Sequence, residues 1–248
     1  MDHTLFLWLL TPISGASDHH IAVWTSWHAR MMVLAWGVLL PMGVLVARFF
    51  KVTPRQDWPT QLDNKTWWHW HRALQLIGLV VMAVGVCLAW GHGSGMSKPA
   101  RWHAWLGLTL SALGAFQALG GWLRGSKGGP TDPNGVRGDH YDMTLYRVAF
   151  EVLHKTVGYS ALLMAVAVIF LGLWLADAPR WMWLVVGTWW CALGAACCVL
   201  QRQGYCMDTY QAIWGTDEAL PGNRRKPVGW GVRRFEKDAF RTRFRRRA

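Results

Sequence analysis

The stretch VWTSWHARMMVLAWGVLLPMGVLVARFF, Val23–Phe50, decides the fold class, because it holds no Asp or Glu. A helix needs about 20 predominantly apolar residues to cross a hydrocarbon core of roughly 30 Å. Acids are also missing between Trp67 and Trp90, between Trp102 and Leu123, and between Trp181 and Leu200. The stretch from Leu145 to Leu175 holds one acid, Glu151, near its start. These runs predict five transmembrane helices, at about 23–50, 65–91, 99–123, 143–175 and 180–202. The composition agrees: of 248 residues, 52% are hydrophobic and only 16% charged, against about 25% charged in a usual soluble domain. A soluble globular protein is excluded, and so is a disordered chain, which needs high charge and low hydrophobicity. The expected fold is an all-α integral membrane protein. A segment at 1–22 precedes a helical domain at 23–202, and a basic tail follows at 203–248.

Further signals shape this picture. Many of the 19 tryptophans, among them Trp24, Trp27, Trp67, Trp68, Trp90, Trp102 and Trp122, cluster near predicted helix ends. That is the aromatic belt of the lipid–water interface. Pro41 is expected to kink the first helix, because it removes a backbone hydrogen bond. Leu5–Leu10 is apolar but too short to span. It lacks a basic segment before it and is expected to lie along the membrane surface or against a partner. Five cysteines without regular spacing supply neither a disulfide framework nor a zinc-finger signature.

The net charge of +12 could be read as a nucleic-acid footprint. Sorting the loops by side of the membrane gives another reading. Of 26 Lys and Arg, 22 fall on the side of the first-to-second loop, the third-to-fourth loop and the tail. By the positive-inside rule this face is cytoplasmic. A multi-pass protein of a cell inner membrane is expected, with an extracytoplasmic N-terminus and a cytoplasmic C-terminus. The tail from Arg224 onward then needs no nucleic acid. Attraction to anionic membrane lipid accounts for its charge, and Phe235, Phe240 and Phe244 among the arginines suit a surface-lying segment.

The chemistry lies in the histidines. Six of the ten, including His69, His92 and His140, fall in the terminus, in loops or at helix ends. Four lie inside helices: His28, His71, His103 and His154. Ionisable residues within a membrane are functional candidates by default. Counting depth from alternate faces puts His28 level with His103 near the outer face and His71 level with His154 near the inner face. At 1.5 Å rise per residue the two levels stand roughly 20–25 Å apart. Zinc or copper would gather three or four ligands at one depth, whereas these divide two and two. An imidazole is a strong axial ligand for haem iron, and facing helices of a four-helix bundle commonly supply cofactor ligands. The expected architecture is therefore a four-helix haem-binding bundle plus a fifth transmembrane helix, holding two haems. With both axial positions filled by imidazole, electron transfer is favoured over oxygen binding.

Neighbouring residues carry two readings each. Gly107 and Gly158 follow His103 and His154 by four and would let a flat macrocycle approach, or they serve helix packing. Arg72 and Lys155 stand beside His71 and His154. They would pair with haem propionates or an anionic donor, or snorkel to the lipid surface. Arg30 and Arg101 are the outer candidates by the same reasoning.

At these residues the sequence resembles the cytochrome b561 family, in the five-helix form that other proteins carry behind a DOMON domain. The motifs are WHARMMVLAWGVLLPMGVLVARFF (Trp27–Phe50), WHWHRALQLIG (Trp68–Gly78), RWHAWLGLTLSALGAFQAL (Arg101–Leu119) and HKTVGYSALL (His154–Leu163). GDHYDMT (Gly138–Thr144) and TYQAIWG (Thr209–Gly215) look like bacterial members. The resemblance implies that the four axial histidines are His28, His71, His103 and His154, paired first with third and second with fourth. It also implies electron transfer across a membrane through two b haems. Eukaryotic members use ascorbate and reduce ferric chelates or monodehydroascorbate. Here about 22 residues precede the first helix, too few for a DOMON domain, and the basic ascorbate motif is missing, so a quinol or a protein redox partner is at least as good a donor candidate as ascorbate.

Three functions remain open on the sequence. The first is a free-standing transmembrane electron-transfer cytochrome, alone or as a homodimer. The second is a bound subunit of a larger respiratory or photosynthetic membrane protein complex, docked through the N-terminal segment and tail. The third is a membrane ferric reductase, which shares the core and differs in its acceptor.

Overall fold

The computed structural model describes residues 3–17, 20–53, 55–92 and 96–236, and every structural statement below concerns these. The described chain is all-α. α1 is His3–Leu10 and α2 is Val23–Met32; a π-helical stretch, Val33–Leu39, then leads into α3, Leu40–Phe49. α4 covers Thr66–Ala89, α5 Lys98–Trp122, α6 Asp139–Asp142, α7 Leu145–Leu175, α8 Arg180–Gln203 and α9 Thr209–Trp214. Four helical stretches are long and apolar enough to cross a membrane: Val23–Phe49, α4, α7 and α8. The protein is thus a multi-pass integral membrane protein. α5, at 25 residues, matches the others in length but falls short of their apolarity, because His103, Thr109, Ser111 and Gln117 interrupt it.

Pro41 leaves its mark on the hydrogen bonding of the first long helix. It has no N–H to bond the carbonyl four residues back, at Gly37. The helix widens to π geometry just before the proline. The buried Gly37 oxygen accepts instead from the indole Nε1 of Trp189 at 2.7 Å. A buried carbonyl without a partner costs roughly 1–3 kcal/mol, so this indole offsets the missing backbone bond.

The chain divides into two compact units. The first comprises Met1–Pro41, Leu74–Phe116 and Gly158–Ala196. Its core is apolar, with Ala35, Trp36, Leu40, Met82, Leu110, Ala165 and Ile169 among its buried side chains. Small residues let backbones approach here. A Cβ on Gly78 would stand 2.8 Å from Leu40 Cδ2, and one on Gly114 would stand 3.1 Å from Leu79 Cδ2. α1 is held by the turn between α7 and α8. Ser14 N–H and Oγ–H donate to the Asp177 carboxylate at 3.0 and 2.6 Å. Arg180 donates to the Trp8 carbonyl at 3.3 Å. Leu5, Phe6, Leu7, Trp8 and Leu10 remain exposed.

The second unit comprises Met42–Ala73, Gln117–Val157 and Cys197–Ala248. Here the sequence expectation for the tail needs correction. Phe235 does not lie on a surface. It is buried with Val52, Trp58, Met207 and Ala212, and its backbone exchanges hydrogen bonds with the Gln211 side chain. Arg234 donates to Asp208 at 2.7 Å and to the carbonyls of Gly222, Asn223 and Arg225. Asp208 also caps α9 by accepting from Tyr210 N–H. Up to residue 236 the tail is therefore a packed cap, because one buried carboxylate and one guanidinium tie its turns together. Phe240 and Phe244 lie outside the described residues.

Candidate functional site

The four candidate histidines, His28, His71, His103 and His154, fall into two pairs, one in each unit. His28, on α2, faces His103, on α5, with ring centroids 6.2 Å apart and planes at 79°. His71, on α4, faces His154, on α7, at 6.4 Å and 82°. In each pair one imidazole is fixed by the backbone. His28 Nδ1 lies 2.8 Å from Gly85 O, and His71 Nδ1 lies 3.0 Å from Gly43 O. A carbonyl oxygen only accepts, so Nδ1 carries the proton in both and the lone pair sits on Nε2. A hydrogen bond of this kind, made by the ring nitrogen that does not face the metal, orients metal-binding histidines. His103 Nδ1 is buried without a hydrogen-bond partner. Its ring packs against Gly172, where a Cβ would stand 3.0 Å from His103 Cε1.

The spacing can be tested against a bound iron. A metal–imidazole bond is about 2 Å long, and a ring nitrogen lies roughly 1 Å from the ring centre, so two imidazoles trans on one ion have centroids about 6 Å apart. Both pairs meet that value. Among the described residues no group of three or more His, Cys, Asp or Glu gathers to hold a metal ion. Two imidazoles alone suit an ion whose remaining donors come with it, as in a haem. One helical turn beyond His103, a Cβ on Gly107 would meet nothing within 4 Å, leaving room for a flat group beside the ligand.

The basic candidates are placed unevenly. Lys155 is committed: its Nζ lies 2.7 Å from Glu151 Oε2 and donates to Val228 O at 2.8 Å. Arg72 is exposed and lies over the Trp68 ring, at 5.8 Å. Arg30 is exposed over Trp27, at 5.0 Å. Arg101 is exposed on α5. Arg124 also covers Trp68, at 4.2 Å. Burial, then the charges of Arg147 and Arg72, push its guanidinium below its usual value.

A buried charged cluster near His154 was not singled out by the sequence reading. Glu151 is 5% exposed and pairs with Arg147 Nε at 3.2 Å and with Lys155. The spacing of four residues along α7 was its one sequence signal. His140, expected in a loop, is buried in α6 against Tyr210 and Trp214, with Nε2 4.0 Å from Glu151 Oε1. Burial first, then the Arg147 charge, lower its pKa to about 3, so it is neutral.

Comparison with known proteins gives a family for part of the chain. The model of the family described as "Eukaryotic cytochrome b561" matches residues 27–125. Residues 27–125 belong to the cytochrome b561 family. This cytochrome b561 segment includes His28, His71 and His103; His154 lies beyond it. The chain is 30% identical, over 165 residues, to a cytochrome b561, DM13 and DOMON domain-containing protein of Arabidopsis thaliana, covering 66% of this chain and 16% of that protein. A second Arabidopsis thaliana protein, with cytochrome b561 and DOMON domains, is 29% identical over 64% of this chain and 34% of its own length. Ferric-chelate reductase 1 of Mus musculus is 31% identical over 59% of this chain and 22% of its own length. The chain thus spans between 16% and 34% of the length of these relatives. No solved structure matches.

Proposed function

We propose that this cytochrome b561 chain binds two haem b, one between His28 and His103 and one between His71 and His154, and carries electrons across the membrane. The observation that carries the reading is the pair spacing of 6.2 and 6.4 Å, which suits two imidazoles on one iron. When bound, each haem would take up and pass on one electron at a time. The chain's own part is to hold four imidazoles by helix packing. The Gly85 and Gly43 carbonyls keep His28 and His71 in the tautomer with Nε2 free. Two imidazoles on each iron would leave no open position for a substrate, so a bound haem would supply electron exchange and no ligand binding at the metal. All five long helices, α5 included, cross the bilayer in this reading. The N-terminus is extracytoplasmic and the tail cytoplasmic, in an inner membrane.

The donor is a quinol or a small reductant, and the acceptor lies on the opposite face. A ferric chelate as acceptor is the second reading, supported by the ferric-chelate reductase name of a relative. A pyridine haemochrome assay of the detergent-purified chain tests the cofactor: two haem b per chain are expected, and one in His28→Ala or His154→Ala. Fewer than two in the unaltered chain refutes the reading. Reduction by a quinol analogue, followed by re-oxidation with ferric citrate, identifies the substrates.

A further inference from the structure

The two histidine pairs sit in different electrostatic surroundings. Among the described residues every buried polar or charged side chain lies in the second unit: Lys51, His140, Arg147, Glu151, Asp208 and Gln211. The His28–His103 pair has only the exposed Arg30, Lys98 and Arg101 as charged residues on α2 and α5. The His71–His154 pair is different. Lys155 directly follows His154, and Glu151 precedes it by one turn. Phe150 stacks on the His154 ring at 5.2 Å and 26°, and the Arg147 guanidinium covers Phe150 at 5.1 Å. Lys51, bonded to the carbonyls of Arg48 and Met207, belongs to the same buried set. Burial, then the Lys155 charge, lower its pKa to about 8. Asp208 is taken by Arg234, and His140 is neutral. Glu151 is then the buried carboxylate paired with two cations, Arg147 and Lys155, with Lys51 a third cation of the same buried set.

Adding an electron to a haem site lowers its charge by one. Nearby cations favour that change and anions oppose it, most strongly where water is excluded. Burial and the groups that touch the ligands are among the levers that set haem potentials.

We propose that the positive excess around Glu151 makes the His71–His154 site the higher-potential site of the two, with Glu151 the carboxylate that restrains it. Glu151 is a positioning residue as well, since it holds Arg147 and Lys155 on the His154 face of α7. The tail completes the arrangement. Val228 O fixes Lys155 Nζ, and Gly229, at φ +115°, lies so close that a Cβ there would stand 3.3 Å from Lys155 Cδ. The first electron entering the protein therefore settles at the His71–His154 site.

The inference rests on the haem reading above, and one experiment separates them. The full-length haem-loaded chain is titrated spectroelectrochemically beside a pyridine haemochrome count. Two components are expected, the higher one missing from His154→Ala and the lower one from His28→Ala. Glu151→Gln should shift the higher component upward and Lys155→Gln should shift it downward, with the lower component unmoved in both. Should Glu151→Gln fail to accumulate, Lys155→Gln carries the same test with the opposite sign. A higher component that disappears in His28→Ala overturns the inference. So do charge variants that leave both components in place or shift them in the same direction. A chain without two haems overturns the haem reading, and the inference with it.

Discussion

Gly172 offers a direct test of whether packing behind a histidine sets the site. An alanine Cβ at this position would stand 3.0 Å from His103 Cε1, where ordinary contact begins at about 3.4 Å. The ring must then give way by roughly 0.4 Å, about twice the ±0.2 Å tolerance of a metal–ligand distance. Valine adds two methyl groups on the same side. Gly172→Ala should weaken the His28–His103 haem, and Gly172→Val should remove it, halving the haem count per chain. A haem at His71–His154 should be retained, since that pair belongs to the other unit. The assay is the haemochrome absorbance per polypeptide, with redox titration to identify the surviving component. Two full haems with unchanged potentials in Gly172→Val would refute the reasoning, because the ring would then have no fixed position to lose.

Four further outcomes are expected. Gly107→Leu meets no protein atom at its Cβ, so the polypeptide should tolerate it while haem at His28–His103 is lost; an unchanged haem count argues against a flat group at Gly107. Trp189→Phe strips the Gly37 carbonyl of its indole donor and should cost roughly 1–3 kcal/mol, read as an earlier thermal unfolding in detergent. Arg234→Met leaves the buried Asp208 carboxylate without its cation. A loss of about 3 kcal/mol should release the tail to proteolysis after Arg202, which limited digestion would reveal. His140 has a folded pKa of about 3 against an ordinary 6.5. The unfolded state therefore binds more protons between those values, and stability is full above about 6.5 and lost as pH falls toward 3, at roughly 1.4 kcal/mol per pH unit. His140→Gln should flatten that acid dependence in pH-resolved melts.

The free-standing and bound-subunit readings divide on purification in mild detergent. Elution alone with quinol turnover favours the first, and stoichiometric co-elution with a large complex favours the second. The exposed apolar face of α1 is the surface such a complex would cover, and Leu5→Glu should then break the association.

Much of this molecule is written locally. Acid-free runs fix the helices that enter the membrane, because a buried charge in lipid is expensive over any stretch of about 20 residues. Each helix's histidine sits at a depth that can be counted, since helical rise is constant. The sequence by itself thus determined an all-α membrane protein with one histidine on each of four helices. Only tertiary structure decided which atoms meet. Trp189 lies far from Gly37 in sequence, and its indole replaces the bond that Pro41 removes. His140 and Phe235 look like loop and surface residues because neither has periodic apolar neighbours. They are buried because α6, α9 and the Arg234–Asp208 pair close over them. Such contacts join residues distant along the chain, and no local pattern records them. The surroundings that distinguish the two histidine pairs are set in the same way, by what folds against each pair.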